Sequence, residues 1–145
     1  MILLDANVVL YAYDAASPHH EQARAWLERT LAAPAPVGLP WVTVLAFLRI
    51  STNARALQRP FTVDEATEIV GSWLEQPCVT LVAPGPQHYQ ILRDVMRNAQ
   101  AKGPLVTDAH LAALALEHGA TLATTDRDFS RFTGLRVVNP LLEPG

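Results

Sequence analysis

The side chains most able to do chemistry in this sequence are a few aspartates that lie next to predicted strands and helices. Asp5 closes an apolar run near the start of the chain, and Asp108 opens a predicted helix. Asp126 follows a later apolar run, and Asp128 lies two residues beyond it. If these carboxylates share one pocket, each raises the pKa of the others, and a bound divalent cation removes the conflict. Ligands that are all oxygen favour Mg²⁺ or Mn²⁺, and such an ion can activate water to hydrolyse a phosphoester.

Each aspartate also has a purely structural interpretation. Asp108 could be a first-turn acid that interacts favourably with the helix dipole. Asp126 and Asp128 could be ordinary turn or N-cap residues. Asp5 is the hardest to explain in this way, because burying a carboxylate without donors costs free energy. A structural Asp5 would need helix N-terminal amides or Arg49 as donors.

Apolar strands that alternate with helices predict an α/β domain with a mainly parallel sheet. The predicted strands are short: Ile2–Leu4, Val37–Leu39, Val79–Val82, Thr121–Thr124 and Val137–Val138. Among the helices, we expect Ser17-Pro18 to begin one, Gly103-Pro104 to end a second and Thr107 to cap a third. Functional groups of such sheets lie beyond the carboxyl ends of the strands, where Asp5 and Asp126 are predicted to be.

Length and composition predict a single domain that spans residues 1–145. Half of the residues are apolar, 17% are charged, and the net charge is −3, which excludes a strongly basic nucleic-acid-binding protein and an acidic disordered tail. Cys78 is the only cysteine, so no intrachain disulfide can form, and a reducing compartment is indicated. The N-terminus has no basic region, and Asp5 interrupts its apolar run. We therefore expect a cytoplasmic protein without a signal peptide or membrane span.

Four segments resemble the PIN-domain ribonucleases, in particular the VapC-type toxins of bacterial toxin–antitoxin pairs. The family's strand-end acid, with a small polar residue two places on, is matched by LLDAN at Leu3–Asn7. Its most recognisable block is matched by TDAHLAALALEHGATLATTDRDF at Thr107–Phe129. Two further segments are typical of the toxin branch: SPHHEQARAWL at Ser17–Leu27 and PWVTVLAFLRI at Pro40–Ile50. The order and spacing of these segments carry the resemblance, which covers nearly the whole chain.

The resemblance implies a PIN-like three-layer α/β domain, with a central sheet flanked by helices. It also implies that Asp5, Asp108 and Asp126 line an acidic pocket, bind the metal and are the catalytic residues. Asp128 would be a peripheral acid behind these ligands. The implied activity is endonucleolytic cleavage of RNA that depends on Mg²⁺, with Mn²⁺ as a substitute, and that leaves a 5′-phosphate and a 3′-hydroxyl.

The resemblance further implies substrate contacts and protein partners. Asn7 and Thr124 would orient ligands, water or phosphate. Arg127 lies between two of the acids, which makes it the arginine best placed to contact a phosphate. The implied partners are a cognate VapB-type antitoxin and a second copy of the same chain.

One position departs from the family's pattern. The family commonly has a glutamate early in the helix after the second strand, whereas this chain has Ala46, and no Asp or Glu occurs from Arg29 to Val63. The departure favours one bound metal over two, and Asp128 could partly replace the missing acid. It also leaves open a catalytically weakened PIN domain that retains antitoxin or RNA binding without turnover. A phosphatase with Asp5 as nucleophile is a further alternative, but Asn7 stands where a second acid would be needed.

Overall fold

The computed structural model describes residues 1–142, in which five short strands alternate with six α-helices. The strands are β1 (Ile2–Leu4), β2 (Val37–Pro40), β3 (Val79–Val82), β4 (Thr121–Ala123) and β5 (Val137–Val138). The helices are α1 (Ala6–Tyr13), α2 (His20–Ala32), α3 (Trp41–Ser51), α4 (Val63–Leu74), α5 (His88–Ala99) and α6 (Leu105–His118). A short 3-10 helix, Arg127–Arg131, lies between β4 and β5.

The five strands form one sheet in the order β3-β2-β1-β4-β5, and all four pairings are parallel. The chain adds β2 and β3 on one side of β1 and then crosses over to place β4 and β5 on the other side. The strand order therefore reverses between β1 and β4, where Leu4 pairs with Ala123. The crevice beyond the carboxyl ends of two such strands is the usual ligand site of an open parallel sheet.

Side chains alternate between the two faces of the sheet, and each face is covered by helices. Leu4 and Ala123 belong to the apolar cluster that packs against α1, α2, α3 and α4. Leu3 and Leu122 point to the opposite face and pack against residues of α5, α6 and the 3-10 helix. This arrangement confirms the predicted three-layer α/β domain with a parallel central sheet.

Two predicted helix starts are wrong. Helix α2 begins at His20 without a side-chain cap, because the Ser17 hydroxyl instead accepts the backbone N–H of His19, at 3.1 Å, in a preceding turn. Helix α6 begins at Leu105, since Pro104 already has a helical backbone conformation. Thr107 therefore lies inside the first turn instead of capping it.

The prediction that Gly103-Pro104 ends a helix is also wrong. Helix α5 ends at Ala99, and Gln100 follows it in the left-handed conformation with a φ of 51°. Helix α1 was not predicted at all. It starts directly after β1, where the Asp5 carboxylate accepts the backbone N–H of Ala6.

No helix within residues 1–142 is long and apolar enough to span a membrane. The predicted domain extends to residue 145, and its last three residues lie outside the part of the chain that the structure describes.

Candidate metal centre

Asp5 lies at the carboxyl end of β1 and is 9% exposed. Its Oδ1 accepts the backbone N–H of Ala6, at 2.7 Å, and its Oδ2 accepts the hydroxyl of Thr124, also at 2.7 Å. Burial raises the pKa of Asp5, while these two hydrogen bonds oppose the rise and the charge of Asp126 adds to it. The donors that a buried Asp5 requires are thus a helix N-terminal amide and a neighbouring hydroxyl.

The loop after β4 is held against β1 by polar contacts. Thr124, which is 1% exposed, donates its hydroxyl to Asp5 and accepts the backbone N–H of Asp126 with the same oxygen, at 3.1 Å. The Oδ1 of Asn7 accepts the backbone N–H of Thr125, at 3.3 Å. Asn7 and Thr124 therefore position the loop that carries Asp126. Whether they also touch substrate remains a prediction.

Asp126 begins the 3-10 helix by accepting the backbone N–H of Asp128 with its Oδ1, at 2.9 Å. Phe129, 1% exposed, anchors this helix in the core behind the site. Asp128 is exposed, whereas Asp126 is partly buried. The short helix thus presents two carboxylates at neighbouring positions.

Asp108 lies in the first turn of α6 and faces the same crevice. Its pKa is raised to about 6, first by burial and then by the negative charges of Asp126, Asp5 and Asp128. Arg131 is the cation that opposes this rise. Within residues 1–142, no donor forms a hydrogen bond with the Asp108 carboxylate. Burial and like charges thus act on Asp108 without a compensating hydrogen bond.

One carboxylate oxygen from each of Asp108, Asp126 and Asp128 lies within 4.8 Å of the others. Asp5 is outside this group, although its charge acts on Asp108. The structure therefore brings together two of the three predicted ligands, with Asp128 as the third member of the group. Three converging carboxylates, of which Asp108 has no hydrogen-bond donor within residues 1–142, fit a hard divalent ion, which would offset their mutual repulsion.

Helix α3, which follows β2, contributes no acid to the crevice because Ala46 occupies the position where a glutamate was expected. Asp128 supplies an additional carboxylate from the other side, on the 3-10 helix. The sequence pointed to this replacement, since Asp128 is two residues from a predicted ligand.

Sequence reasoning favoured Arg127 and missed Arg131. Arg127 is exposed. Arg131 donates its Nε–H to the backbone oxygen of Asp128, at 3.1 Å, and its second terminal nitrogen lies 3.7 Å from the Oδ1 of the same residue. The available signal was the spacing of three residues between Asp128 and Arg131, which brings two side chains together on a helix.

Comparisons with known proteins agree with this geometry. Residues 2–135 match the sequence profile of the PIN domain. The chain is 41% identical over 140 residues to ribonuclease VapC37 of Mycobacterium tuberculosis, with 97% of each chain covered. It is 40% identical over 142 residues to ribonuclease VapC31 of the same species, covering 98% of this chain and all of the relative.

Among solved structures, the fold is similar to that of VapBC2 from Rickettsia felis bound to a DNA fragment from its promoter. The TM-score is 0.71 at 16% identity, with 96% of this chain and 98% of the other covered, so this likeness concerns the fold alone. The sequence profile and the closely related ribonucleases establish the family. The chain belongs to the PIN-domain family, in its group of VapC ribonucleases.

Proposed function

We propose that this VapC-type enzyme is the toxin of a VapBC-type toxin–antitoxin pair, and that it hydrolyses phosphodiester bonds of RNA with a bound divalent metal. The observation that carries the proposal is the convergence of Asp108 with Asp126 and Asp128, from elements remote in sequence, on one point beyond the sheet. The ribonuclease names of the close relatives support the reaction class. A weakened, binding-only PIN domain is not favoured, because Asp128 adds a carboxylate that the position of Ala46 lacks.

Asp108 and Asp126 are the metal ligands that both the sequence and the geometry support. Asp5 acts beside them, because a carboxylate has about four lone-pair sites and only two of those on Asp5 accept hydrogen bonds. Asp128 adds an exposed carboxylate at the rim. A bound Mg²⁺, or Mn²⁺ in its place, would lower the pKa of a water molecule and stabilise the charge that develops on the phosphate.

The surrounding polar residues hold the ligands and meet the substrate. Thr124 fixes Asp5 relative to the backbone of Asp126, which limits the movement of both carboxylates. Asn7 holds the same loop from α1, which leaves its amide N–H groups free to orient water or phosphate. Arg127 is exposed beside the acids, and we propose that it contacts a phosphate of the RNA.

The proposed partners follow from the family. The Rickettsia felis relative forms a VapBC complex, which supports a VapB-type antitoxin for this chain. We also propose a homodimer and a cytoplasmic location, where the single cysteine, Cys78, would stay reduced.

The test is cleavage of total bacterial RNA, with new 5′ ends mapped by sequencing. The wild type should cut in Mg²⁺, leave 5′-phosphates and lose activity in EDTA. The Asp108→Asn variant should lose about a thousandfold in rate, since metal-assisted charge stabilisation contributes several kcal/mol. Asp94→Asn is the matched control, because Asp94 is an acid on the surface of α5 that contacts Gln90. An Asp108→Asn protein that cuts at the wild-type rate would overturn the assignment.

A further inference from the structure

The negative charges of Asp5, Asp126 and Asp128 act on Asp108, and the same four carboxylates repel an RNA phosphate that approaches the site. The bound metal offsets part of that repulsion, but the neighbouring phosphates of the chain remain outside the metal's first shell. A cation fixed at the rim would hold these phosphates where the scissile bond needs them. Arg131 is the positive charge that acts on Asp108 from within the described chain.

Arg131 is held in place by its own short helix. Its Nε–H bond to the backbone oxygen of Asp128 fixes one edge of the guanidinium. The backbone that carries it is anchored on both sides by Phe129 and Phe132, which are 1% and 4% exposed and pack with their ring centroids 5.8 Å apart. The guanidinium is thus positioned before any ligand binds, which reduces the entropy lost on binding.

The outer edge of Arg131 is available. Its second terminal nitrogen lies 3.7 Å from the Asp128 Oδ1, beyond hydrogen-bond distance, and the side chain is 37% exposed. Such an exposed pair contributes little to stability, so a stronger acceptor can replace it. A phosphate offers two oxygens with the spacing that a guanidinium fork recognises. Arg127, in contrast, has no contact within residues 1–142 that fixes its direction.

We propose that Arg131 binds a backbone phosphate of the RNA at the rim of the carboxylate site, through the two terminal nitrogens of its guanidinium. The inference rests on the proposed function and adds to it a substrate-binding residue. The contact is to the backbone, so it contributes to affinity equally for all sequences and does not select the cleavage site.

The test measures binding of a fluorescein-labelled, mixed-sequence single-stranded RNA of 20 nucleotides, in the cleavage-deficient Asp108→Asn background and without added Mg²⁺. Adding Arg131→Gln should weaken binding about tenfold and reduce the slope of log K against log salt by about 0.7, the value for one lost phosphate contact. The RNA affinity of Arg131→Lys should lie between that of the parent protein and that of Arg131→Gln, because lysine keeps the charge but lacks the planar guanidinium. Arg24→Gln is the matched control, since Arg24 is also exposed and also donates through Nε, to Glu28.

An unchanged affinity and salt slope in Arg131→Gln would overturn the inference, as would equal losses in Arg131→Gln and Arg24→Gln. A merely structural arginine would lower the melting temperature without changing the salt slope. If Arg131→Gln does not fold, the RNA affinity of Arg131→Lys is measured instead, and it should be lower than that of the parent protein. Failure of the proposed function has a different signature: the otherwise wild-type protein would not cut RNA, or it would cut RNA equally well in EDTA.

Discussion

The carboxylates at the two ends of helix α6, Asp108 and Glu117, have pKa values that are shifted in opposite directions. At its last turn, Glu117 accepts the backbone N–H of Gly85, at 2.8 Å, and that of Gln87, at 2.9 Å. These bonds lower the pKa of Glu117, and the bond from Gly85 has the larger effect. At the first turn, Asp108 has no donor within residues 1–142, and burial and like charges raise its pKa to about 6.

The surroundings of Glu117 are those of a structural acid. It ties the loop after β3 to α6, and His88 of α5 lies beside it, with its Nδ1 3.9 Å from the Glu117 carboxylate. The other nitrogen of His88 is 3.0 Å from the Nδ1 of His110. Every strong acceptor oxygen of Glu117 thus has a donor from the chain itself.

This contrast distinguishes Glu117, an acid that stabilises the fold, from the carboxylates around Asp108, which we propose bind a ligand. Folding supplies donors for Glu117, whereas at Asp108 it supplies three further carboxylates. An arrangement that costs free energy in the isolated protein is retained when a bound ligand offsets the cost. We therefore expect changes at the two ends of α6 to have opposite consequences.

The largest expected effect on stability concerns Asp5, which lies between these two cases because it is buried but has one donor for each oxygen. The Thr124→Val substitution keeps the shape of the side chain but leaves the Oδ2 of Asp5 and the backbone N–H of Asp126 without a partner, while the Oδ1 of Asp5 keeps its bond from Ala6. We expect the free energy of unfolding to fall by about 1–3 kcal/mol, measured by urea denaturation. The control is Thr121→Val in β4, three residues before Thr124, which should change the free energy of unfolding little. A Thr124→Val protein as stable as the wild type would show that Asp5 does not need its donor.

The next effect is the pH dependence of metal binding. A metal must displace the proton from Asp108, whose pKa in the free protein is about 6. Affinity for Mn²⁺, measured by calorimetry, should therefore fall about tenfold between pH 7 and pH 5, as expected for one proton with this pKa. An ordinary aspartate would give almost no change in this range, so a constant affinity would contradict the unsatisfied state of Asp108.

The smallest effect compares both ends of α6 in the metal-free protein. The pKa of Asp108 is higher when folded than the ordinary value of 3.8, so its ionisation costs stability as the pH rises from about 4 through 6. Asp108→Asn should raise the free energy of unfolding at pH 7.5 by about 1 kcal/mol, since solvent screens part of the effect, and the gain should vanish below pH 4. Glu117→Gln should lower the melting temperature instead. Shifts of the same sign in both variants would remove the distinction.

Much of the fold follows from local patterns in the sequence. The short apolar strands, with Asp5 and Asp126 at the carboxyl ends of β1 and β4, are visible from hydrophobicity and from the parallel-sheet rule. Helix α1 was missed because its start depends on the Asp5 carboxylate, which caps the helix and is also a candidate site residue. The start of α6 was misplaced because Pro104 and Thr107 are both acceptable beginnings in sequence, and the preceding turn decides between them.

The site was predictable in its residue types but not in its grouping. The group of three oxygens includes Asp128 and not Asp5. This grouping depends on how the 3-10 helix turns after Asp126. The position of Arg131 beside Asp128 depends on the same turn. The contact between His88 and His110 joins residues 22 apart and requires the packing of α5 on α6, which no local pattern encodes.

Calorimetric titration of the purified, metal-free protein with Mn²⁺ at pH 7.5 tests the central claim most directly. The account predicts saturable binding to the wild type, loss of that binding in Asp108→Asn, and unchanged binding in Glu117→Gln. Absence of binding to the folded wild type, or equal binding to Asp108→Asn, would contradict it.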